Sequence, residues 1–352
     1  MERALILCEG HFGQSMGKTA NGLVRYSGKY AIAGVLDGTK AGRDAGEVLD
    51  GRRAGIPIFA SLRDALAKLA EKPRVLIIGV ATFGGYIPQE FRPVIKEAIE
   101  VGLDVVAGLH EFLSDDAEFA ALAARHGVRL IDVRKPRPLR ELEQFSDRSR
   151  HLECLRVPVL GTDGSIGKRT TAIQLTEALN AAGVKTEFVA TGQTGLLQGA
   201  RYGVPIDAIG GDFMVGELES QIVRAYQENR PKVIVVEGQG SISHPAYVCG
   251  TRAIIMASMP SGIILQHAPG RKTRNFRREV VAWPMPTVEK ETEMLELFSG
   301  SKVIAITINH ENLTPDDVQR VVREYESKYG LPTCDPLLDG CDKLVNKIKA
   351  ML

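Results

Sequence analysis

The chain has 352 residues, 44% of them apolar and 25% charged, with 44 Lys+Arg against 43 Asp+Glu. That length suits two domains better than one small core, and the near balance of charge supplies no field for nucleic acid or an anionic membrane. Five scattered cysteines, Cys8, Cys154, Cys249, Cys334 and Cys341, fit a reducing cytoplasm better than a disulfide framework, and no apolar run is long enough to cross a bilayer.

The first 135 residues alternate between strands and helices. Short apolar runs predict strands over 4–8, 31–36, 75–80, 104–107 and 128–132. They lack in–out alternation, as parallel strands covered on both faces do. Helices are expected over 62–70, opened by Ser61 with Asp64, over 89–101, closed by Gly102, and over 115–126, closed by Gly127. This rhythm predicts an open, doubly wound parallel α/β sheet. Pro136 and Pro138 interrupt it and place a domain boundary at residue 138, giving domains 1–138 and 139–352. The second half repeats the α/β pattern, with strands expected over 157–160, 186–190, 233–236, 262–266 and 303–307. Helices are expected there over 168–181, 215–228, 288–298, 315–328 and 342–351.

The second domain opens with a phosphate-binding pattern. An apolar strand runs into Gly161-Thr162-Asp163-Gly164-Ser165-Ile166-Gly167-Lys168-Arg169-Thr170-Thr171 and then a helix. Glycines let successive N–H groups point at one anion, the helix N-terminus adds its dipole, and Lys168 adds a full charge. The spacing departs from G-x-x-x-x-G-K-[ST]. Gly161 lies one residue early, and Arg169 stands where a Mg²⁺-binding hydroxyl is usual. The loop therefore points to binding a phosphorylated ligand more than to metal-assisted phosphate cleavage.

Other strand exits add polar groups where open α/β sheets take their ligands. Glu237, in Glu237-Gly238-Gln239-Gly240-Ser241, ends an apolar strand as the acid of a phosphate-loop site does. Thr191, Gln193 and Thr194 follow another strand and are candidate ligand hydrogen-bonders or plain loop residues. Asp212 either serves the site or caps the helix after it. His244 follows Glu237 closely and is a candidate base, though a lone histidine is more often structural. His267 has a weaker case. Arg271 is a candidate carboxylate clamp or a surface arginine. In the first domain, residues 8–19 look like a misspaced phosphate loop, Asp37 stands where a ribose-binding acid often lies, and Lys40 and Arg43 are candidate anion binders on a charged loop. No histidine–cysteine cluster calls for a metal.

Taken together, residues 37–47, 161–171, 190–195 and 237–247 resemble a formerly uncharacterised two-domain phosphate-loop family that includes D-glutamate N-acetyltransferases. The likeness runs through nearly the whole chain. It implies a Rossmann-like N-terminal domain and a C-terminal P-loop NTPase-like domain similar to dethiobiotin synthetase. It also implies transfer of an acetyl group from acetyl-CoA to the α-amine of an acidic amino acid, D-glutamate first. Coenzyme A brings phosphates for residues 161–171 to hold and needs no phosphate bond broken. The reaction needs a base, for which Glu237, His244 and Asp212 stand as candidates, and donors for the oxyanion near residues 238–241. It also needs partners for the substrate, with Lys40, Arg43, Thr191, Gln193, Thr194, Gln239, Ser241 and Arg271 as candidates. Two alternatives stay open: an ATP/Mg²⁺-dependent ligase or carboxylase, and a non-catalytic nucleotide- or CoA-binding protein. A cytoplasmic homo-oligomer acting on a small molecule is the default expectation for such an enzyme.

Overall fold

The computed structural model describes residues 1–274 and 282–352. It comprises two compact units, Met1–Arg137 with Gln193–Ala200, and Pro138–Gly192 with Arg201–Leu352.

In the first unit the strands are β1 (Glu2–Leu7), β2 (Tyr30–Leu36), β3 (Ile58–Phe59), β4 (Val75–Ile78), β5 (Asp104–Ala107) and β6 (Leu130–Asp132). All pair in parallel, in the order β3-β2-β1-β4-β5-β6. The helices are α1 (Lys18–Arg25), α2 (Ala45–Asp50), α3 (Leu62–Lys68), α4 (Arg92–Glu100) and α5 (Ala117–His126). Residues 4–7 of β1 and 75–78 of β4 are buried throughout, which is why those runs carry no alternation. The Ser61 hydroxyl accepts the Asp64 N–H at 3.1 Å and opens α3. Gly127, at φ 66°, closes α5. Strand order reverses between β1 and β4, the place where such sheets form a ligand crevice.

The second unit holds a seven-stranded parallel sheet. Its chain runs β7 (Leu155–Gly161), α6 (Lys168–Ala181) and β8 (Thr186–Ala190). Helix α7 (Gln193–Leu197) follows and falls within the first unit. The second unit resumes with β9 (Tyr202–Gly203), α8 (Met214–Asn229), β10 (Val233–Glu237), α9 (Val248–Ser258), β11 (Ile263–His267), α10 (Val288–Ser299), β12 (Val303–Ile308), α11 (Pro315–Tyr329), β13 (Thr333–Cys334) and α12 (Asp342–Lys349). The order is β13-β12-β11-β7-β10-β8-β9. Strand β7 is thus central, flanked by β10 and β11. Apolar clusters cover both faces of this sheet.

Several elements were not expected. Helices α1, α2, α7 and α9 fall where no helix is placed from the sequence, and β3, β9 and β13 are two-residue strands at the sheet edges. Because α1 starts at Lys18 and α6 at Lys168, each unit has a Gly-Lys pair opening the helix that follows its first strand.

Candidate functional site at the phosphate loop

Central strand β7 delivers the loop. At its C-terminal end Val159 pairs with Glu237 of β10, and Gly161 with Gln266 of β11. Two neighbouring strands therefore present side chains beside the turn. The Thr162 N–H donates to the Gln266 carbonyl at 3.1 Å, after which the chain leaves the sheet. Gly167 is the N-cap of α6 with φ 98°, a conformation that a side chain would strain. Among the described residues the N–H groups of Ser165, Ile166 and Gly167 find no acceptor. They sit at the positive end of the 14-residue α6 dipole, which is the arrangement an anion needs. Lys168 is buried, and its Nζ donates to the carbonyls of Asp163 (2.5 Å) and Gly240 (2.8 Å). Burial lowers its pKa to about 8, against the raising pull of the Asp163, Glu291 and Glu237 carboxylates.

Two arginines hold the loop from outside. Arg271 donates through Nη1 to Asp163 Oδ2 (2.8 Å) and the Gly164 carbonyl (2.9 Å), and through Nη2 to the Ser165 carbonyl (3.1 Å). Its Nε meets Glu311 Oε2 at 3.1 Å. Arg271 is read from the sequence as a clamp for substrate carboxylate or a surface residue. It is buried rather than a surface residue, and it grips two of the protein's own carboxylates. Arg274, which carries no local signal beyond the basic run 271–274, donates through Nη1 to the Thr162 carbonyl (3.0 Å) and Ser241 Oγ (2.7 Å). Ser241 is thereby occupied by protein rather than open to substrate. Glu291 of α10 accepts the Ile242 N–H at 2.9 Å and the Ser243 hydroxyl, and burial raises its pKa. Gln266 Oε1 accepts both Thr171 Oγ1 and Thr307 Oγ1 at 2.6 Å, so the Thr171 hydroxyl is turned into the protein. Thr170 lies half-buried on the first turn of α6. Thr162 Oγ1 meets His267 Nδ1 at 2.9 Å, and burial pulls that histidine down to about 4, so it is neutral.

Glu237 ends β10, buried. Its Oε2 accepts the N–H groups of Thr191 (2.9 Å) and Gly192 (3.2 Å). Burial raises its pKa, while the Arg169 charge and those two N–H groups pull the other way. Thr191 Oγ1 donates to the Glu237 carbonyl (3.0 Å), and Gln239 Nε2 donates to Thr191 Oγ1 (3.1 Å). The acid, Thr191 and Gln239 thus form one network on the β8–β10 side of the loop. Gly238 is required here: a Cβ would lie 2.0 Å from the Val159 carbonyl oxygen.

His244 is buried beside the loop. Its Nδ1 accepts the N–H groups of Ala246 (3.0 Å) and Tyr247 (3.1 Å), which leaves the ring proton on Nε2, 3.4 Å from Asp163 Oδ1. The nitrogen that a base would use already accepts two backbone donors. Asp212 is exposed and does not cap α8, whose N-cap is Phe213 without a side-chain bond.

The remaining candidates belong to the first unit. Lys40 Nζ pairs with Asp37 Oδ2 at 3.2 Å, and Arg43 is exposed. Asp37 also accepts the Phe12 N–H (3.1 Å) and the Thr39 N–H (3.0 Å), so it ties its own loops together instead of standing open for a ribose. Gln193 is buried on α7 beside Gly108, and Thr194 Oγ1 bonds Thr19 Oγ1 at 3.2 Å. Both are helical, not residues of a plain loop.

Residues 143–345 match the P-loop domain, and residues 38–136 the Rossmann-like domain, of the family described as a domain of unknown function, DUF1611. The chain is 35% identical over 283 residues to a D-glutamate N-acetyltransferase of Tritonibacter scottomollicae, covering 79% of this chain and 82% of that protein. It is 30% identical over 284 residues, with the same coverage, to a D-glutamate N-acetyltransferase of a Pseudoalteromonas species. A crystal structure of a DUF1611 family protein from Anabaena variabilis superposes with a TM-score of 0.89 at 32% identity, covering 99% of this chain and 100% of that one. A Rossmann-like unit and a phosphate-loop unit, each matching its own half of one description, settle descent: the chain belongs to the DUF1611 family.

Proposed function

We propose that this protein is an N-acetyltransferase that moves an acetyl group from acetyl-CoA to the α-amine of an acidic amino acid, D-glutamate. The observation that carries the reading is an anion-binding loop with Arg169 in place of the metal-binding hydroxyl, in a chain similar over most of its length to two D-glutamate N-acetyltransferases. The N–H groups of residues 165–167, which find no acceptor among the described residues, and the buried ammonium of Lys168 fit the phosphates of coenzyme A. Thr171 is committed to Gln266, and the Arg169 charge bears on Glu237, where a nucleotidase would set its metal between hydroxyl and acid.

Glu237 suits the base best. Burial lifts its pKa, which makes it a better proton acceptor from an ammonium than an exposed carboxylate. It takes one proton as the amine nitrogen attacks the thioester carbonyl. The tetrahedral oxyanion is met by N–H groups of residues 238–241. The C–S bond then breaks, and the coenzyme thiolate leaves and is protonated. His244, with Nδ1 committed to two backbone N–H groups, suits the base less well. Of the three cations considered for the substrate carboxylates, Arg271 serves the loop and Lys40 pairs with Asp37. Arg43 alone of the three has no ion pair among the described residues.

The test is thiol release from acetyl-CoA across a panel of D- and L-amino acids without ATP or Mg²⁺. Release that depends on D-glutamate is expected. Silence across the panel, with turnover appearing only after ATP and Mg²⁺ are added, would overturn the reading in favour of a ligase.

A further inference from the structure

The turn between β12 and α11 holds a side chain that takes no part in the chemistry above. Asn309 directly follows β12, and its backbone N–H donates to the His267 carbonyl of β11 at 2.8 Å. Its side-chain amide is used at both ends. Oδ1 accepts the Glu311 N–H at 2.8 Å, and Nδ2 donates to the Ile166 carbonyl of the phosphate loop at 3.0 Å. Those partners fix which end of the amide is oxygen. The next residue, His310, is tied through Nδ1 to the buried Asp335 carboxylate at 2.7 Å. Glu311 reaches back to Arg271. Each of the three residues after β12 is therefore held in place.

A trans peptide sets its C=O and the following N–H in one plane and in opposite directions, and no peptide bond is cis among the described residues. Arg271 holds the Gly164 and Ser165 carbonyls, and Asn309 holds the Ile166 carbonyl. The N–H groups of Ser165, Ile166 and Gly167 belong to those same three peptides. Each is thus turned away from the group that holds its carbonyl. Arg271 and Asn309 are joined to each other through Glu311, so the carbonyls face one side of the loop and the three N–H groups the other. Ser165 stands at φ 54° and Gly167 at φ 98°, left-handed conformations that curl successive N–H groups round one anion. A serine in that region is strained and persists only where its surroundings over-determine it. The hold on its own carbonyl and on the two beside it supplies that constraint. We infer that Asn309 is a positioning residue of this site: it aims the Gly167 N–H at the phosphoryl group that the Ser165 and Ile166 N–H groups also take. This rests on the reading that the loop binds a phosphorylated ligand, and not on acetyl transfer.

The experiment is calorimetric titration of the wild type, Asn309→Asp and Asn309→Ser with inorganic pyrophosphate and with coenzyme A. Amide NMR spectra of each protein are recorded with and without pyrophosphate. Aspartate keeps the shape and the acceptor for the Glu311 N–H but offers the Ile166 carbonyl no donor. Serine is too short to reach that carbonyl and brings no charge. A hydrogen bond to a charged group contributes about 10-fold or more in affinity, and both variants should lose that much for both probes. Pyrophosphate should shift the Ser165, Ile166 and Gly167 amide signals of the wild type. In the variants the Gly167 shift should collapse, while that of Ser165, whose peptide Arg271 holds, persists. Unchanged affinity in Asn309→Ser, or equal collapse at all three amides, overturns the role. If Asn309→Asp does not accumulate as folded protein, Asn309→Ser decides by the same outcomes. If the wild type binds neither probe, the phosphate-loop reading falls and this role with it. If the Gly167-selective loss appears but no acetyl transfer is found, the role stands and only the acetyltransferase reading falls.

Discussion

Exchanging Arg271 for lysine tests whether the phosphate loop is built by its outer clamp. The guanidinium satisfies Asp163, two loop carbonyls and Glu311 at once. An ammonium keeps the charge but cannot span that fork. Arg271→Lys should therefore leave the Gly164 and Ser165 carbonyls without their charged donor. Hydrogen bonds to charged groups contribute about 1.5–3 kcal/mol each, so the expected loss is roughly 3 kcal/mol or more. For a unit of about 200 residues, that lowers Tm by roughly 6–12 °C. Arg271→Met also strips the partner from a buried Asp163, at a total cost nearer 3–5 kcal/mol or above. Thermal unfolding followed by circular dichroism gives the stabilities, and titration with coenzyme A reports the loop. If Arg271→Lys melts within about 2 °C of the wild type and binds the coenzyme unchanged, the clamp argument is wrong.

Three further outcomes follow from the same geometry. Glu237→Gln should cut acetyl transfer by about 100-fold or more and remove the acid limb of the kcat–pH profile, which lies above the ordinary 4.5 because burial raises this carboxyl. A raised carboxylate pKa contributes stability at low pH that is lost as pH climbs through the raised value, so at neutral pH this variant should melt no lower than the wild type, and a clear drop would argue that the charge is structural. Lys168 loses its charge as pH passes about 8, so wild-type affinity for coenzyme A should decline between roughly pH 7 and 9, whereas Lys168→Met should bind weakly with no such slope. Gly238→Ala forces a Cβ to within 2.0 Å of the Val159 carbonyl and should unfold or fail to accumulate, while Gly211→Ala, with nothing within 4 Å of the added atom, should melt like the wild type.

Much of this architecture could be read locally. Helix α6 begins and ends where Gly167-Lys168 and the following apolar spacing place it, and strands β5 and β8 coincide with their apolar runs. The loop was legible because its glycines, lysine and helix lie within eleven residues of one another. Helix α9 was not, since its run from Val248 to Ser258 combines Gly250 with β-branched Thr251, Ile254 and Ile255, a composition that helix propensity disfavours and burial overrides. Helix α7 escaped for a different reason. Its glycine and threonine look like turn chemistry, and the contacts that make it a helix lie with Thr19, Gly22 and Gly108, far away in sequence. The same distance hid the loop clamp, because Arg271 and Asp163 are 108 residues apart and neither has a local pattern that names the other. The acid Glu237 could be found at a strand end, whereas Glu291 and Arg274 reach the loop only through partners that folding supplies.

The placement of α7 has a consequence for how the chain is made. Leu197 belongs to the first unit's apolar core, and Gln198 donates to the Gly22 and Tyr26 carbonyls. During synthesis the first unit's opening stretch ends at Arg137, but the piece that completes it is not available until Ala200 has been translated, 200 − 137 = 63 residues later. At about 5–20 residues per second, that is a wait of roughly 3–13 s. For that interval the nascent first sheet carries an uncovered apolar seat, and β7, α6 and β8 emerge before the seat is filled. Ribosome-bound intermediates in this window are where chaperones would find their substrate, and a gene cut at the boundary would yield a first half permanently in that state.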